Sequence, residues 1–384
     1  MKINLQHSCL RWARERAGLN QHDTAKKLGV KEEKVHEWEQ NGELTFSQAE
    51  KLAEVTHTPI GYLFLPEPPR EQLPVADFRT VGTRNTSQPS SDLLDTVNEA
   101  LRRQDWYREY LRNAGGEPLA FVGSLSLTND ILEAANKIRT VVAWNADLRA
   151  NANNWEVALS KQADAIENAG ILVMRSGIVG NNTTRTLSVS EFRGFALSDS
   201  YAPLVFVNGR DSKAAQMFTL AHELVHIWLG ISGISNLDKT YSPGIDTERF
   251  CNQVAAELLV PLAELAVQWG TAQTPSVQLP ILVRYFKVSS LVILRRLRDA
   301  DYLTENEFNR LYTDEIGQFN QRPASAGGGD FYRTLRVRIG RRFASAIIES
   351  TLEGVTPYRD AFSLLGVRNA EKLQKFAAII GGAS

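Results

Sequence analysis

Cysteine is nearly absent from the 384 residues: only Cys9 and Cys251 occur, which excludes a disulfide framework as the source of stability. A dominant charge is lacking as well. The 43 Lys and Arg almost balance the 44 Asp and Glu, so the chain is not a polyelectrolyte binder throughout. No run approaches the roughly 18 apolar residues that span a bilayer, and the first sixteen residues carry no apolar signal core. The expectation is a cytoplasmic protein with no membrane partner. Histidine is scarce, with six in the chain, which makes the place of each informative. What is present is ordinary for a folded protein: 43% hydrophobic and 23% charged residues, over a length that suits two or three domains.

Periodicity divides the chain. Residues 1–65 place Leu10, Ala13, Ala25, Leu28, Val35, Trp38, Ala49 and Leu52 at helical spacing, broken at Gly18-Leu19-Asn20, Gly29-Val30 and Asn41-Gly42. This predicts a compact bundle of five short helices. Residues 66–92, opening on Pro66-Glu67-Pro68-Pro69, read as a linker or strap. Helical pattern returns over 93–168. A change of period opens the next domain, 169–320: Ile171–Met174 reads as a strand, and 194–197 faces 204–207 as a hairpin. A helix follows, capped by Asp211 or Ser212 and stopped at Gly230, then another over about 246–259. Residues 321–330 (QRPASAGGGD) form a flexible joint, and 331–384 a helical C-terminal unit.

The chemistry lies in His222-Glu223-Leu224-Val225-His226. Residues four apart are about 40° apart around a helix, so both imidazoles face one place and can share a cation. Glu223 is turned by about 100° from His222, too far to ligate but able to reach an activated water as general base. A buried helix holding two histidines by accident is the bland alternative. An apolar stripe does not favour two unpaired imidazoles, however, so zinc is the expected cofactor.

The third ligand follows by elimination. The other four histidines, His7, His22, His36 and His57, all lie in the N-terminal unit, and none follows His226. A metzincin continuation would need Gly at 229 and His at 232, where Leu229 and Ser232 stand. A carboxylate remains, from Asp238, Asp246, Glu248 or Glu257, with Cys251 as the thiol candidate. Glu248 shares a helical face with Asn252, Ala255 and Leu259, whereas Glu257 points the other way. The choice is Glu248, with Asn252 orienting a ligand and the fourth position open to water, a catalytic arrangement. Strand 204–207 would offer an edge to an extended peptide, and Tyr201 in the hairpin loop is a possible oxyanion donor or a mere loop anchor.

Asp199-Ser200-Tyr201-Ala202-Pro203, FTLAHELVHIWLG at 218–230 and the run from Glu248 through Asn252 and Leu258-Leu259 to Pro261 resemble the ImmA/IrrE family of zinc metallopeptidases. The resemblance covers roughly 190–300. It implies a gluzincin-like enzyme in which His222, His226 and Glu248 bind zinc and Glu223 is catalytic. Family members typically cut helix-turn-helix repressors, so the implied partner is a protein substrate, a repressor or antitoxin. The chain departs from the family pattern at Val254, where Phe is usual.

Residues 10–55 resemble an XRE-type helix-turn-helix, with Gln21 opening the second helix and a recognition helix over about 31–40. That resemblance implies operator DNA as a partner, through Gln21, Lys31 and Lys34. Yet residues 1–65 hold nine basic and nine acidic side chains, no field for phosphates, which leaves protein–protein use open. Residues 327–384 carry nine basic against five acidic groups, as a solvated helix face or a surface for nucleic acid or an acidic partner.

The fold expected is a mainly α multidomain chain: an XRE-like bundle, a zincin-type α+β protease domain with a small sheet, and a helical C-terminal unit. The expected function is a regulatory zinc endopeptidase of a mobile-element, stress or toxin–antitoxin circuit. The alternative is an XRE-type DNA-binding regulator or antitoxin-like module whose metal site does not cut.

Overall fold

The computed structural model describes residues 2–77, 89–235, 245–270, 274–319 and 330–381. Two compact units emerge: Met1–Pro74 with Ser87–Val97, and Val75–Thr86 with Asn98–Ser384. The proposed joint at 321–330 lies outside the described residues except for Asp330, as does the Thr80–Thr83 part of the strap.

In the first unit, β1 (Lys2–Asn4), α1 (His7–Arg16), α2 (Gln21–Leu28), α3 (Glu32–Asn41), β2 (Glu43–Thr45) and α4 (Phe46–Val55) precede a 3-10 turn at Ile60–Phe64. Caps set these boundaries. The Asn20 side chain accepts from Asp23 N–H, Gly29 ends α2 in the left-handed region, and Thr45 with Gln48 forms a capping box. Gly42 is required twice over, because its φ is 73° and a Cβ there would sit 1.9 Å from the Leu5 carbonyl oxygen. Leu10, Ala13, Val35, Trp38 and Leu52 form the core, as their spacing predicts. The antiparallel pairing of β1 with β2 was not expected. Strands of three residues are too short to show a period of two.

In the second unit, β3 is Ala76–Asp77 and α5 is Ser91–Asn113, shared between the units in sequence. Then come α6 (Ile131–Val141), α7 (Ala146–Ala150) and α8 (Trp155–Asn168). Asn145 and Asn154 cap α7 and α8 and so break the helical region into pieces. β4 (Leu172–Ser176), β5 (Gly194–Leu197), β6 (Leu204–Asn208), α9 (Lys213–Leu229), β7 (Gly233–Ser235) and α10 (Ile245–Leu259) build the centre. α11 (Leu262–Gln268), α12 (Pro275–Phe286), α13 (Ser290–Asp299) and α14 (Glu305–Phe319) follow it, and α15 (Phe331–Ile339), α16 (Arg341–Leu352), α17 (Tyr358–Leu365) and α18 (Ala370–Gly381) end the chain. Among the described residues no single helix is long and apolar enough to cross a membrane.

The five-stranded sheet runs β3-β7-β5-β6-β4, with β5 antiparallel to β6 as the hairpin reading required. One expectation is corrected here. β6 lies between β5 and β4, so its hydrogen-bonding groups are used on both sides and it offers no edge to a peptide. All five of its residues are buried, the pattern of an interior strand. α9 packs between β5 and β6 on one side and α8 and α10 on the other, so it is buried on every face rather than along one stripe.

Three arginines of the C-terminal stretch are engaged inside this unit. Arg342 donates from its side chain to the Tyr107 hydroxyl and from its backbone to Glu167, Arg341 donates to Asn168, and Arg338 to Asn181. Glu167 is buried, and burial pushes its carboxyl up to about 7 even though the Arg342 N–H, at 3.0 Å, favours the charged form. An unfolded glutamate ionises near pH 4.3. Between those values the folded state keeps a proton the unfolded state has lost, so the stability Glu167 contributes is full below about pH 4.3 and lost by about pH 7. Glu167→Gln keeps an acceptor for Arg342 and removes this dependence. Urea unfolding is expected to show the variant and the native protein alike near pH 4, with the variant more stable by about 3 kcal/mol at pH 8. Parallel stability curves across that range would remove this account of the group.

Candidate metal centre

Ser212 starts α9, its hydroxyl accepting from Ala215 N–H, and Gly230 stops it with a φ of 71°. The HExxH turns therefore fall at the C-terminal end of a rigid, buried helix. α10 packs alongside and presents Glu248 from its first turn. His222 Nε2 lies 3.2 Å from Glu248 Oε2, His226 Nε2 lies 3.2 Å from Glu248 Oε1, and the two Nε2 atoms are 3.2 Å apart. Both imidazoles and Glu223 are fully buried.

Those separations test whether the side chains suit a metal. Ligand atoms at roughly 2.0–2.1 Å from a tetrahedral zinc ion stand about 3.3 Å apart, close to what is found. The donor chemistry agrees, since two imidazole nitrogens and a carboxylate converge. The Asn252 Oδ1 lies 3.0 Å from His222 Nδ1; an N–H there donates to the amide oxygen and leaves Nε2 as the ligating atom. For the side chains alone, burial disfavours charge on both histidines. The Glu248 charge and hydrogen bond raise His222 above its ordinary value nonetheless, whereas His226 falls below its own. Burial also opposes the Glu248 charge, but the two imidazoles outweigh it and hold that carboxyl well below the usual range. The trio thus favours one proton shared among its members, where a divalent cation fits better.

Glu223 is in a different position. Burial pushes its carboxyl up to about 8, and neither oxygen has a well-formed hydrogen bond, although the nearby Ser235 hydroxyl pulls the value slightly down. Gly194 matters here and is not singled out by the sequence reading. A Cβ on it would meet Thr219 Cγ2 at 2.5 Å and Glu223 Oε1 at 3.0 Å, so glycine leaves room for the carboxyl. A glycine heading a strand is the signal that could have pointed to such a close approach.

The remaining candidates are placed as follows. Cys251 Sγ lies within 4.8 Å of the histidine ligand atoms, but burial and the Glu248 and Glu223 charges push its thiol well above the ordinary value. Asp246 is exposed, Glu257 forms a buried ion pair with Arg296, and Asp238 lies outside the described residues. Tyr201 stands under the Arg112 guanidinium, 4.9 Å from the ring centre, and its N–H donates to Asp199, the arrangement of a loop anchor. In the first unit Gln21 does not face outward with its amide. It donates to Glu39 at 2.8 Å, and Arg14 also pairs with that buried acid, which ties α1, α2 and α3 together. Lys31 is the N-cap residue of α3, and Lys34 pairs with Glu37 at 2.7 Å.

Residues 166–298 match the peptidase M78 family model, the IrrE N-terminal-like domain. The match spans the HExxH helix, Glu248 and Asn252. Residues 10–63 match a helix-turn-helix model, so the chain joins a helix-turn-helix domain to an IrrE-like one. Residues 339–378, which pack beside the IrrE-like domain through α16, match a domain of unknown function. Comparison with curated proteins gives no match.

Proposed function

We propose that the chain is a cytoplasmic zinc endopeptidase that regulates a circuit by cutting a protein partner, a helix-turn-helix repressor or antitoxin. The observation that carries this reading is the convergence of the buried His222 and His226 with Glu248, beside the buried carboxyl of Glu223. His222, His226 and Glu248 would hold the ion. Zinc supplies a Lewis acid there, one that brings the pKa of water to about 7. Glu223 takes the proton from the attacking water and returns it to the leaving amine, for which a carboxyl held near neutrality is suited. Asn252 keeps the His222 ring oriented. The test is incubation of the zinc-loaded protein with the small helix-turn-helix proteins encoded beside it, with mass spectrometry of the fragments. Discrete internal cuts support the reading, and intact partners oppose it.

A second reading, duplex binding by the first unit, is favoured by the helix-turn-helix match. The surface of α3 tempers it, with Glu32, Glu33 and Glu37 exposed beside Lys31 and Lys34. Few phosphates can be neutralised by such a face. The affinity for duplex DNA is expected to fall with salt on a log–log slope shallower than about −3. A slope near −10, read by fluorescence anisotropy, would show an extensive phosphate interface and reverse this ranking.

A further inference from the structure

β7 is three residues long and fully buried, yet it connects the edge of the sheet to the proposed base. On its inner side Gly194 pairs with Ser235, the two residues that crowd the Glu223 carboxyl. On its outer side stands β3, with Ala76 opposite Gly233 and Asp77 opposite Ile234. β3 comes from well over a hundred residues upstream, consists of two residues, and leaves Ala76 exposed. It therefore adds main-chain hydrogen bonds to β7, with the Ala76 side chain left out of the core. Ile234 and Ser235, by contrast, are fully buried. Without β3, β7 would be the outer strand, its unpaired N–H and C=O groups one strand away from Gly194, while its Ser235 side chain lies by Glu223. An open strand edge is where an extended peptide is held by main-chain bonds.

We propose that residues 75–77 occupy the peptide-binding edge of β7 as an internal strap, and that an extended segment of the protein substrate takes their place. The inference rests on the peptidase reading for its purpose, but the strap itself can be tested separately. Alternate residues of a strand point their N–H groups to opposite sides, so Ala76→Pro with Asp77→Pro removes a donor toward β7 whichever residue faces it. In the full chain carrying Glu223→Gln, amide exchange of residues 233–235 is expected to be about tenfold faster in the double-proline variant, the loss of one or two hydrogen bonds. Adding β-casein, an extended polypeptide, is expected to restore the protection in that variant. Ala76→Gly with Asp77→Gly keeps the donors and is expected to fall between, which guards against a variant that merely misfolds. With Glu223 intact, the double-proline chain is expected to cut β-casein about tenfold faster than the native chain. Unchanged exchange at 233–235, or exchange indifferent to casein, overturns the strap. Exchange as expected with no cutting by either chain overturns the peptidase reading and leaves the strap standing.

Discussion

Glu223→Gln is expected to lower cleavage by about 10²- to 10⁴-fold and to leave bound zinc unchanged. Both halves of this result follow from where the side chain sits. Glutamine has the shape of glutamate, so the pocket left by Gly194 still accommodates it, and none of the ligand distances among His222, His226 and Glu248 involves it. What disappears is the proton acceptor. Burial holds the Glu223 carboxyl near 8 for the side chains alone, and a divalent cation beside it lowers that value by favouring the charged form. The acidic limb of kcat/KM is therefore expected below pH 8, as Glu223 ionises, and to vanish with the substitution. Metal content by mass spectrometry and cleavage of the same partner, measured on the same preparation, decide the matter. Equal rates with equal zinc would leave the reaction without its base; loss of zinc in the variant would make Glu223 part of the binding site instead.

Much of the centre was legible because its determinants are local. Two imidazoles four residues apart must share a helix face, Ser212 and Gly230 announce the ends of that helix, and Glu248 and Asn252 lie one turn apart on the next. The sheet was legible only in part. Buried runs such as Leu204–Asn208 declare themselves as strands, but which strands flank them depends on crossovers that no local pattern records. The peptide edge was accordingly assigned to β6, an interior strand, while β3 and β7 were too short to be seen. Gln21 shows a related effect. Its place at the start of the second helix suits a DNA contact, yet its amide is committed to Glu39, eighteen residues on. The arginines of 333–342 looked like a solvated face by composition, which fits the exposed Arg333, but tertiary contacts with Asn181, Asn168 and Tyr107 reveal Arg338, Arg341 and Arg342 as staples.

Loss of the carboxylate at 248 should be more damaging than loss of any neighbour of the ligands. Removing a group that merely orients a ligand costs about 10–100-fold in metal affinity, and Glu248 is proposed as a ligand itself. Glu248→Gln is expected to weaken zinc binding by more than about 100-fold, with cleavage lost in proportion. The change takes away an anionic donor that lies 3.2 Å from both imidazole nitrogens. Stability gives an independent reading, because an ion that binds only the folded state raises the melting temperature with its concentration. Zinc should raise the melting temperature of the native chain and have little effect on Glu248→Gln, whereas the two should differ little in the presence of a chelator. Cys251 provides the control. Its thiol is also near both histidines, but burial beside two carboxylates keeps it protonated, and only a thiolate is a good ligand. Cys251→Ala should retain zinc and its stabilising effect. Should the alanine variant lose the metal while the glutamine variant keeps it, the third donor is sulfur, and Glu248 becomes a charge that balances the histidines rather than one that completes the site.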